Sequence, residues 1–479
     1  MKNKYTISFI FAFLLLSGFS SSMQGQVITF EQIYKTAVDQ DGLDVLLSPD
    51  GGYIIAGSTV NNIPNDLDIK VLKTDKMGDT LWTKTYADPN LDYPNCMLQT
   101  SDNNYFILGY TQISGQGQEI YLQKIDMSGN LLWSKVYGTF GNDDGNQIIA
   151  TGDGNYAITG GSNNDAYLMK IDPDGNTLWT KYYGGSTTFE STRSVAKCLD
   201  GGFILAGQTS AIRYGVAGMF IVRTNSSGDT LWTKIYRGPD SYQGKYILAN
   251  NDKSYTICMD DSSGARDSDV RVMKIDSAGA IKWNNDFGGS EKDISKMIQP
   301  TSDGGYILVG ISRSFGWINP YMWLLKFNSG GDTTWSRHFG SYYHNHGYAV
   351  RQTPDGGYVS VGHEVSSTSI SQIMLVKVDS SGNFTPTTSV EESTLNTAIA
   401  IYPNPAFAVI TVDLKDINLA PGSTCKILNA LGQEVFSESI TASGQNERKS
   451  IDLKDNDPGI YFLRIQSAKY LITKKFILQ

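Results

Sequence analysis

From Ile28 to about Phe384 the chain alternates apolar and polar positions in short runs, each ended by Gly, Asp or Asn. One unit reads DVLLSP (Asp44 to Pro49), a DGG turn, GYIIAGST (Gly52 to Thr59), a variable loop, DIKVLKTD (Asp68 to Asp75), a KMG turn and DTLWTKTY (Asp79 to Tyr86). Period-two alternation, β-branched and aromatic enrichment, and turn residues at every break predict four antiparallel strands. The last run recurs around Trp82, Trp133, Trp179, Trp232, Trp283 and Trp335, at spacings of 51, 46, 53, 51 and 52 residues. Four strands repeated at this period predict an all-β fold in which each unit is a propeller blade.

The first turn returns at Asp50, Asp102, Asp153, Asp200, Asp252, Asp303 and Asp355, and the second at Gly78, Gly129, Gly175, Gly228, Gly279, Gly331 and Gly382. The blades therefore number seven, although the tryptophan run occurs six times. ITFEQIY (Ile28 to Tyr34) aligns with TLWTKTY, placing Phe30 in the Trp82 position and Tyr34 in that of Tyr86. This N-terminal strand is expected to complete the last blade and close the ring. In the tryptophan strand Trp82, Lys84 and Tyr86 share one face and Leu81 and Thr83 the other. Both faces are expected to pack on neighbouring blades.

Beyond Phe384 the period stops. FTPTTSVEESTLNT reads as a linker, and the alternating segments after it, with turns at Leu431-Gly432 and Asp457 to Gly459, predict a small antiparallel β-sandwich. At the other end Lys2 and Lys4 precede the apolar run IFAFLLL and a small polar stretch, the pattern of a signal peptide. The expected organisation is a signal peptide at 1–25, a seven-bladed β-propeller at 26–385, a linker at 386–398 and a C-terminal domain at 399–479. No later segment reads as a transmembrane span.

Net charge of -9 and a pI near 5.1 argue against a nucleic-acid partner, which needs a basic face. Cys96, Cys198, Cys258 and Cys425 hold unrelated places in their repeats and read as buried small hydrophobes rather than disulfides. Function in such a scaffold belongs to the end that carries the variable loops. Trp317, Tyr321, Tyr342 and Tyr343 add aromatics there beyond what a blade needs, the kind of surface that stacks on sugars or anchors a protein. His344 and His346 adjoin them, and with His338 and His363 complete the histidines. Two imidazoles without a third ligand nearby do not make a metal site, and DPDG at Asp172 to Gly175 lacks the further ligands of a calcium loop. Asp92, Asp144, Glu190 and Asp293, at similar offsets between blades, fit turn caps better than a cation ring. Nucleophile-elbow, zinc-protease and P-loop motifs are missing, so catalysis is not indicated. A carboxylate pair facing a groove would instead make the protein a carbohydrate-active hydrolase or lyase, and a purely structural surface component is the other alternative.

The repeat resembles the β-propeller repeats of secreted bacterial proteins and, more distantly, the tryptophan-docking repeat of pyrroloquinoline-quinone dehydrogenases. It departs from the latter in setting Asp172 three residues before Gly175 and in having seven units, so no cofactor is expected. The tail closely resembles the type A C-terminal sorting domain of the type IX secretion system. The motifs are Tyr402-Pro403-Asn404-Pro405, NALGQEV with Leu431 and Gly432, DPGIYFLRI with Gly459 and Tyr461, and KKFIL with Lys474 and Lys475. The resemblance implies passage through the periplasm, recognition by the type IX machinery, and an extracellular or cell-surface location in a Gram-negative bacterium. The expected product is a non-enzymatic propeller that binds a glycan or a protein on its variable-loop face.

Overall fold

The computed structural model describes residues 28–479 apart from 61–66, 139–140, 186–187, 211–216, 239–241, 262–268, 315–318, 342, 367, 385–399, 415–417, 430–432, 444–447 and 467–470. The signal peptide and the linker lie outside the described residues. Seven four-stranded antiparallel sheets succeed one another along the chain, one per blade, and no helix occurs among the described residues. Blade 1 runs from its inner strand Gln40–Leu47 through Tyr53–Val60 and Leu67–Thr74 to its outer strand Thr80–Tyr86. The inner strands of blades 2 to 7 are Leu91–Gln99, Asp143–Ala150, Glu190–Lys197, Tyr242–Ala249, Asp293–Pro300 and Asn345–Gln352. In blade 7 the outer place is taken by Phe30–Tyr34, which pairs antiparallel with Ser371–Val378. One sheet thus unites both ends of the repeat region, and the ring has no open seam.

Second and third strands are apolar runs because both of their faces are covered by neighbouring blades. At the end opposite the variable loops, the third strand of every blade carries a basic residue whose side chain is 2 to 15% exposed. Lys73, Lys124, Lys170, Arg223, Lys274, Lys326 and Lys377 each reach the turn aspartate of the same blade, at 2.5 to 3.3 Å. A cation buried that deeply needs a paired charge, which gives the repeated aspartate its purpose.

Outer strands are held by a relay from blade to blade. Tyr34, Tyr86, Tyr137, Tyr183 and Tyr236 each donate their hydroxyl to the carbonyl of the outer-turn glycine in the next blade, at 2.6 to 2.8 Å. In blade 5 Phe287 stands at the tyrosine position, and Asn285 donates instead to Gly331 at 3.0 Å. The tryptophan lies on the same glycine, so that a Cβ on Gly129 would come within 2.7 Å of Trp82. That glycine also has a φ of 77°, a conformation in which a side chain is strained. The opposite face of the outer strand is not packed, contrary to expectation. Leu81, Leu132, Leu178 and Leu231 are 50 to 57% exposed. Blades fan apart as they leave the axis, so only the tryptophan face of the outermost strand meets a neighbour.

The tail forms a three-stranded sheet of Ala400–Tyr402, Val409–Asp413 and Arg448–Asp452. A four-stranded sheet is ordered Glu434–Ser443, Asn418–Asn429, Gly459–Gln466, Leu471–Leu478. Ile410, Val412, Ile427, Leu463 and Phe476 fill the core they share. All four cysteines are buried and unbridged.

Candidate ligand-binding site

Every inner strand carries one β-bulge, always at the same place. The register breaks between Gly42 and Asp44, Pro94 and Cys96, Gly145 and Gln147, Thr192 and Ser194, Gly244 and Tyr246, Ser295 and Met297, and Gly347 and Ala349. The extra residues are Leu43, Asn95, Asn146, Arg193, Lys245, Lys296 and Tyr348, each seven positions before the turn aspartate of its blade. A bulge turns one side chain out of the pleat, and all seven line a single cavity of about 510 Å³ on the propeller axis. The residue before the bulge is small where the preceding blade comes close: a Cβ on Gly42 would lie 2.6 Å from Val361. The backbone is thereby constant, while the chemistry pointed into the channel changes from blade to blade.

Neighbouring positions fasten the ring together. Asp44 accepts the Met97 amide of blade 2 at 2.9 Å, Gln147 accepts that of Val195 in blade 4 at 2.7 Å, and Ser194 that of Ile247 in blade 5 at 3.0 Å. Arg351 of blade 7 meets Asp44 of blade 1 at 2.8 Å across the closure. Burial holds the Asp44 carboxyl above the usual carboxylate range despite Arg351 and two backbone donors.

The mouth is chemically two-sided. On one side Tyr348 and Tyr93 line the cavity, with His346 and His363 beside Tyr348 at ring-centroid distances of 6.3 and 5.6 Å. The two imidazoles are 4.6 Å apart, and Tyr93 stacks on Tyr110 at 5.7 Å. His363 Nδ1 lies 2.8 Å from Asp41, and this contact holds the Asp41 carboxyl below its ordinary value although burial opposes it. Burial, then His363 and Lys296, push His346 down to about 3, so it is a neutral ring at physiological pH. Arg193, Lys245 and Lys296 of blades 4, 5 and 6 make the cationic side, which meets the aromatic one where the Lys296 ammonium lies 5.3 Å from the Tyr348 ring centroid, and Asn95 and Asn146 lie on the other arc between the two.

Of the residues expected from sequence, Tyr321 begins the third strand of blade 6 and is half-buried opposite Ser312. Tyr343 and His344 are exposed on the loop leading into blade 7, which is tied to the loop before Tyr321 by the Asn345 amide on Pro320 O at 2.9 Å. His346 joins Tyr348 at the cavity edge. Trp317 and Tyr342 lie outside the described residues. Among the described residues no group of three or more His, Cys, Asp or Glu is gathered to hold a metal. Asp92, Glu190 and Asp293 are buried between blades and do not ring the mouth. Glu190 accepts the Gly185 amide and Asp293 those of Gly289 and Arg313, whereas Asp144, one residue out of that register, is half-buried. The bulged ring itself was not foreseen. Its signal was the position seven before each turn aspartate, the one place in the inner strand occupied in turn by Leu, Asn, Asn, Arg, Lys, Lys and Tyr.

In the tail, Asn404 accepts the Ile477 amide at 3.0 Å and Ala406 donates to Ile477 O at 2.8 Å, so Tyr402 to Pro405 is pinned to the strand that holds Lys474 and Lys475. Tyr461, two residues into the strand begun by Gly459, stacks on Phe476 at 5.8 Å and donates to Asp457 O at 2.6 Å. Leu431 and Gly432 lie outside the described residues. The first and last sequence motifs of the tail are therefore one structural unit.

Residues 400–479 match the secretion system C-terminal sorting domain family. No curated protein matches the chain. Among solved structures, a protein of unknown function from Dyadobacter fermentans DSM 18053 is similar at 11% identity, covering 73% of this chain and 97% of that one, with a TM-score of 0.46. Sqt1 from Chaetomium thermophilum is similar at 9% identity over 72% of this chain and 100% of its own, TM-score 0.43. The α-L-arabinanase of Penicillium chrysogenum complexed with arabinobiose is similar at 10% identity over 74% and 98%, TM-score 0.41. The sorting domain implies secretion and contact with the type IX machinery. The chain is a seven-bladed β-propeller-repeat protein ending in a type IX secretion sorting domain.

Proposed function

We propose that the propeller is a secreted or surface-displayed glycan-binding module whose ligand enters from the variable-loop end and seats on the bulged ring. An N-terminal signal peptide takes the chain to the periplasm of a Gram-negative cell, and the tail then directs it outward. The observation that carries the reading is the combination of Asn95, Asn146, Tyr93 and Tyr348 around one axial cavity of about 510 Å³. Asn95 and Asn146 each give one amide hydrogen to the next blade, on Gly145 O and Thr192 O at 2.9 Å, which fixes the side chain and leaves its oxygen and second hydrogen for hydroxyls; tyrosine rings offer flat apolar faces, and together these suit a sugar.

Binding is favoured over hydrolysis by the acids present. Glycoside cleavage uses two carboxylates about 5–10 Å apart across a cleft. Among the described lining residues the one carboxylate is Asp44, and Arg351 and backbone amides already occupy it. The full-length protein is tested against an oligosaccharide array, with reducing sugar released into the same wells assayed in parallel. The expected result is saturable binding without release, weakened by Asn146→Ala and Tyr348→Ala. Sugar release would make the protein a hydrolase or lyase, and no binding to any glycan would favour a structural role. Export is tested separately: a chain ending at residue 399 is expected to stay inside the cell envelope.

A further inference from the structure

The axial cavity is positively charged inside an acidic protein. Its described lining holds Arg193, Lys245, Lys296 and Arg351 against the one carboxylate of Asp44, while the chain as a whole has a net charge of -9. Arg351 and Asp44 pair with each other at 2.8 Å. Of the other three cations, on three successive blades and each on the bulged residue that the backbone aims at the axis, Lys245 is ion-paired with Asp260. Asp260 lies 3.3 Å from Lys245, and it is further committed to the Ser295 amide at 2.8 Å. No carboxylate among the described residues lies within 4 Å of Arg193 or Lys296. Asp144, on the inner strand of blade 3, is raised by burial, and Arg193 opposes that shift.

Grouping like charges in this way is unfavourable for the empty protein. Lys245 is driven below the ordinary lysine range by burial, with Asp260 opposing and Arg193 adding to the effect. Lys296 is driven down by burial and then by Lys245. Outward-facing cations normally avoid this by spreading into solvent, yet here the bulges hold three at one register, Arg193, Lys245 and Lys296. An anion entering from the loop end would relieve the repulsion and would meet donors already in place.

We infer that the ligand is an acidic glycan, whose carboxylate or sulfate is received by Arg193, Lys245 and Lys296 while its sugar ring lies toward Tyr348 and Tyr93. This rests on the glycan-binding reading above and adds the charge of the ligand to it. Asn95 and Asn146, held by Gly145 O and Thr192 O of the next blades, present their amide oxygens to the hydroxyls of the same residue.

The test is equilibrium binding of trigalacturonate, a sulfated galactotriose and neutral galactotriose to the full-length protein, at 50 and 500 mM NaCl. Tri-glutamate serves as a non-sugar anion. One or both acidic sugars should bind at least about tenfold more tightly than the neutral one, with affinity falling as salt rises. Which of the two wins assigns the anion as carboxylate or sulfate. Lys296→Met and Arg193→Gln should each cost about tenfold for the acidic sugar and shrink its advantage over neutral galactotriose, while Lys296→Arg should retain binding, so that a folding defect is told apart from lost charge. Neutral and acidic sugars binding alike, unaffected by either substitution, would overturn the charge inference and leave the glycan reading standing. Tri-glutamate binding as tightly as trigalacturonate would keep the anion site and overturn the glycan. Failure of every probe would overturn both.

Discussion

Replacing Phe30 by alanine tests whether the N-terminal strand is part of the propeller or an appendage to it. Phe30 is 5% exposed, packs edge-on to Tyr53 at 6.0 Å, and covers Gly78 as Trp82 covers Gly129. Four residues on, Tyr34 donates to Gly78 O at 2.7 Å. Emptying a buried phenylalanine site costs about 3–5 kcal/mol. Unfolding entropy near 2.1 cal/mol/K per residue, over about 350 residues, gives about 0.7 kcal/mol per degree, so the midpoint should fall by about 4–7 °C. All eight tryptophans lie in the repeat region, so their fluorescence follows the propeller apart from the tail. The result that refutes ring closure is a main transition unmoved in Phe30→Ala, preceded by an early loss of protease protection confined to residues 28–38. A single transition moved by the stated amount means that the first strand and the last blade unfold together.

The latch bond can be tested alone. Tyr236→Phe removes the hydroxyl that meets Gly279 O at 2.6 Å and should cost about 1 kcal/mol in urea unfolding, and Tyr34→Phe the same if the ring is closed; a smaller loss at Tyr34 would expose a weak seam. Asp303, although burial opposes it, is held at about 2 by Lys326 and neighbouring donors. A carboxyl with a depressed folded-state value stabilises above its unfolded value, so this contribution should disappear as pH falls from about 4 to 2, and Asp303→Asn should flatten that part of the stability profile. Asp92 behaves oppositely: burial, then Asp88 and Asp68, push it up to about 7 against the pull of Thr111. The folded state binds its proton more tightly than the unfolded state does, so stability should fall as pH rises from about 4 to 7, and Asp92→Asn should raise the melting temperature at pH 8 while leaving it unchanged at pH 4.

Blade number and strand order were legible because their determinants are local and repeated. Each turn needs its glycine, each buried Lys or Arg its aspartate, and each tryptophan the next blade's Gly, so spacing alone reveals them. The exposed face of the outer strand was misread because Leu81 and Trp82 are both large and apolar, and alternation alone does not say which face a diverging neighbour reaches. The site was harder to see for the opposite reason. A bulge arises from a mismatch between two strands, and the residues before it, Gly42, Pro94, Thr192 or Ser295, look like ordinary strand or turn residues. Tyr348 and Lys296 then read as unrelated side chains 52 residues apart, although both line the same hole. Tyr343, by contrast, stands out in sequence because no strand position of the blade calls for it.

The bulged ring also separates what may vary from what must not. The inter-blade bonds to backbone amides use the residue after the bulge, the close approach of blades uses the residue before it, and the bulged side chain between them faces the cavity, where Asn95 and Asn146 also bond the next blade through Gly145 O and Thr192 O at 2.9 Å. The channel is in effect a seven-letter word written on a nearly fixed page, in which the letters Asn95 and Asn146 also help to bind the book. Grafting the seven residues of another ligand's choice onto this frame would be a direct route to propellers of new specificity that still leave the cell by the same tail.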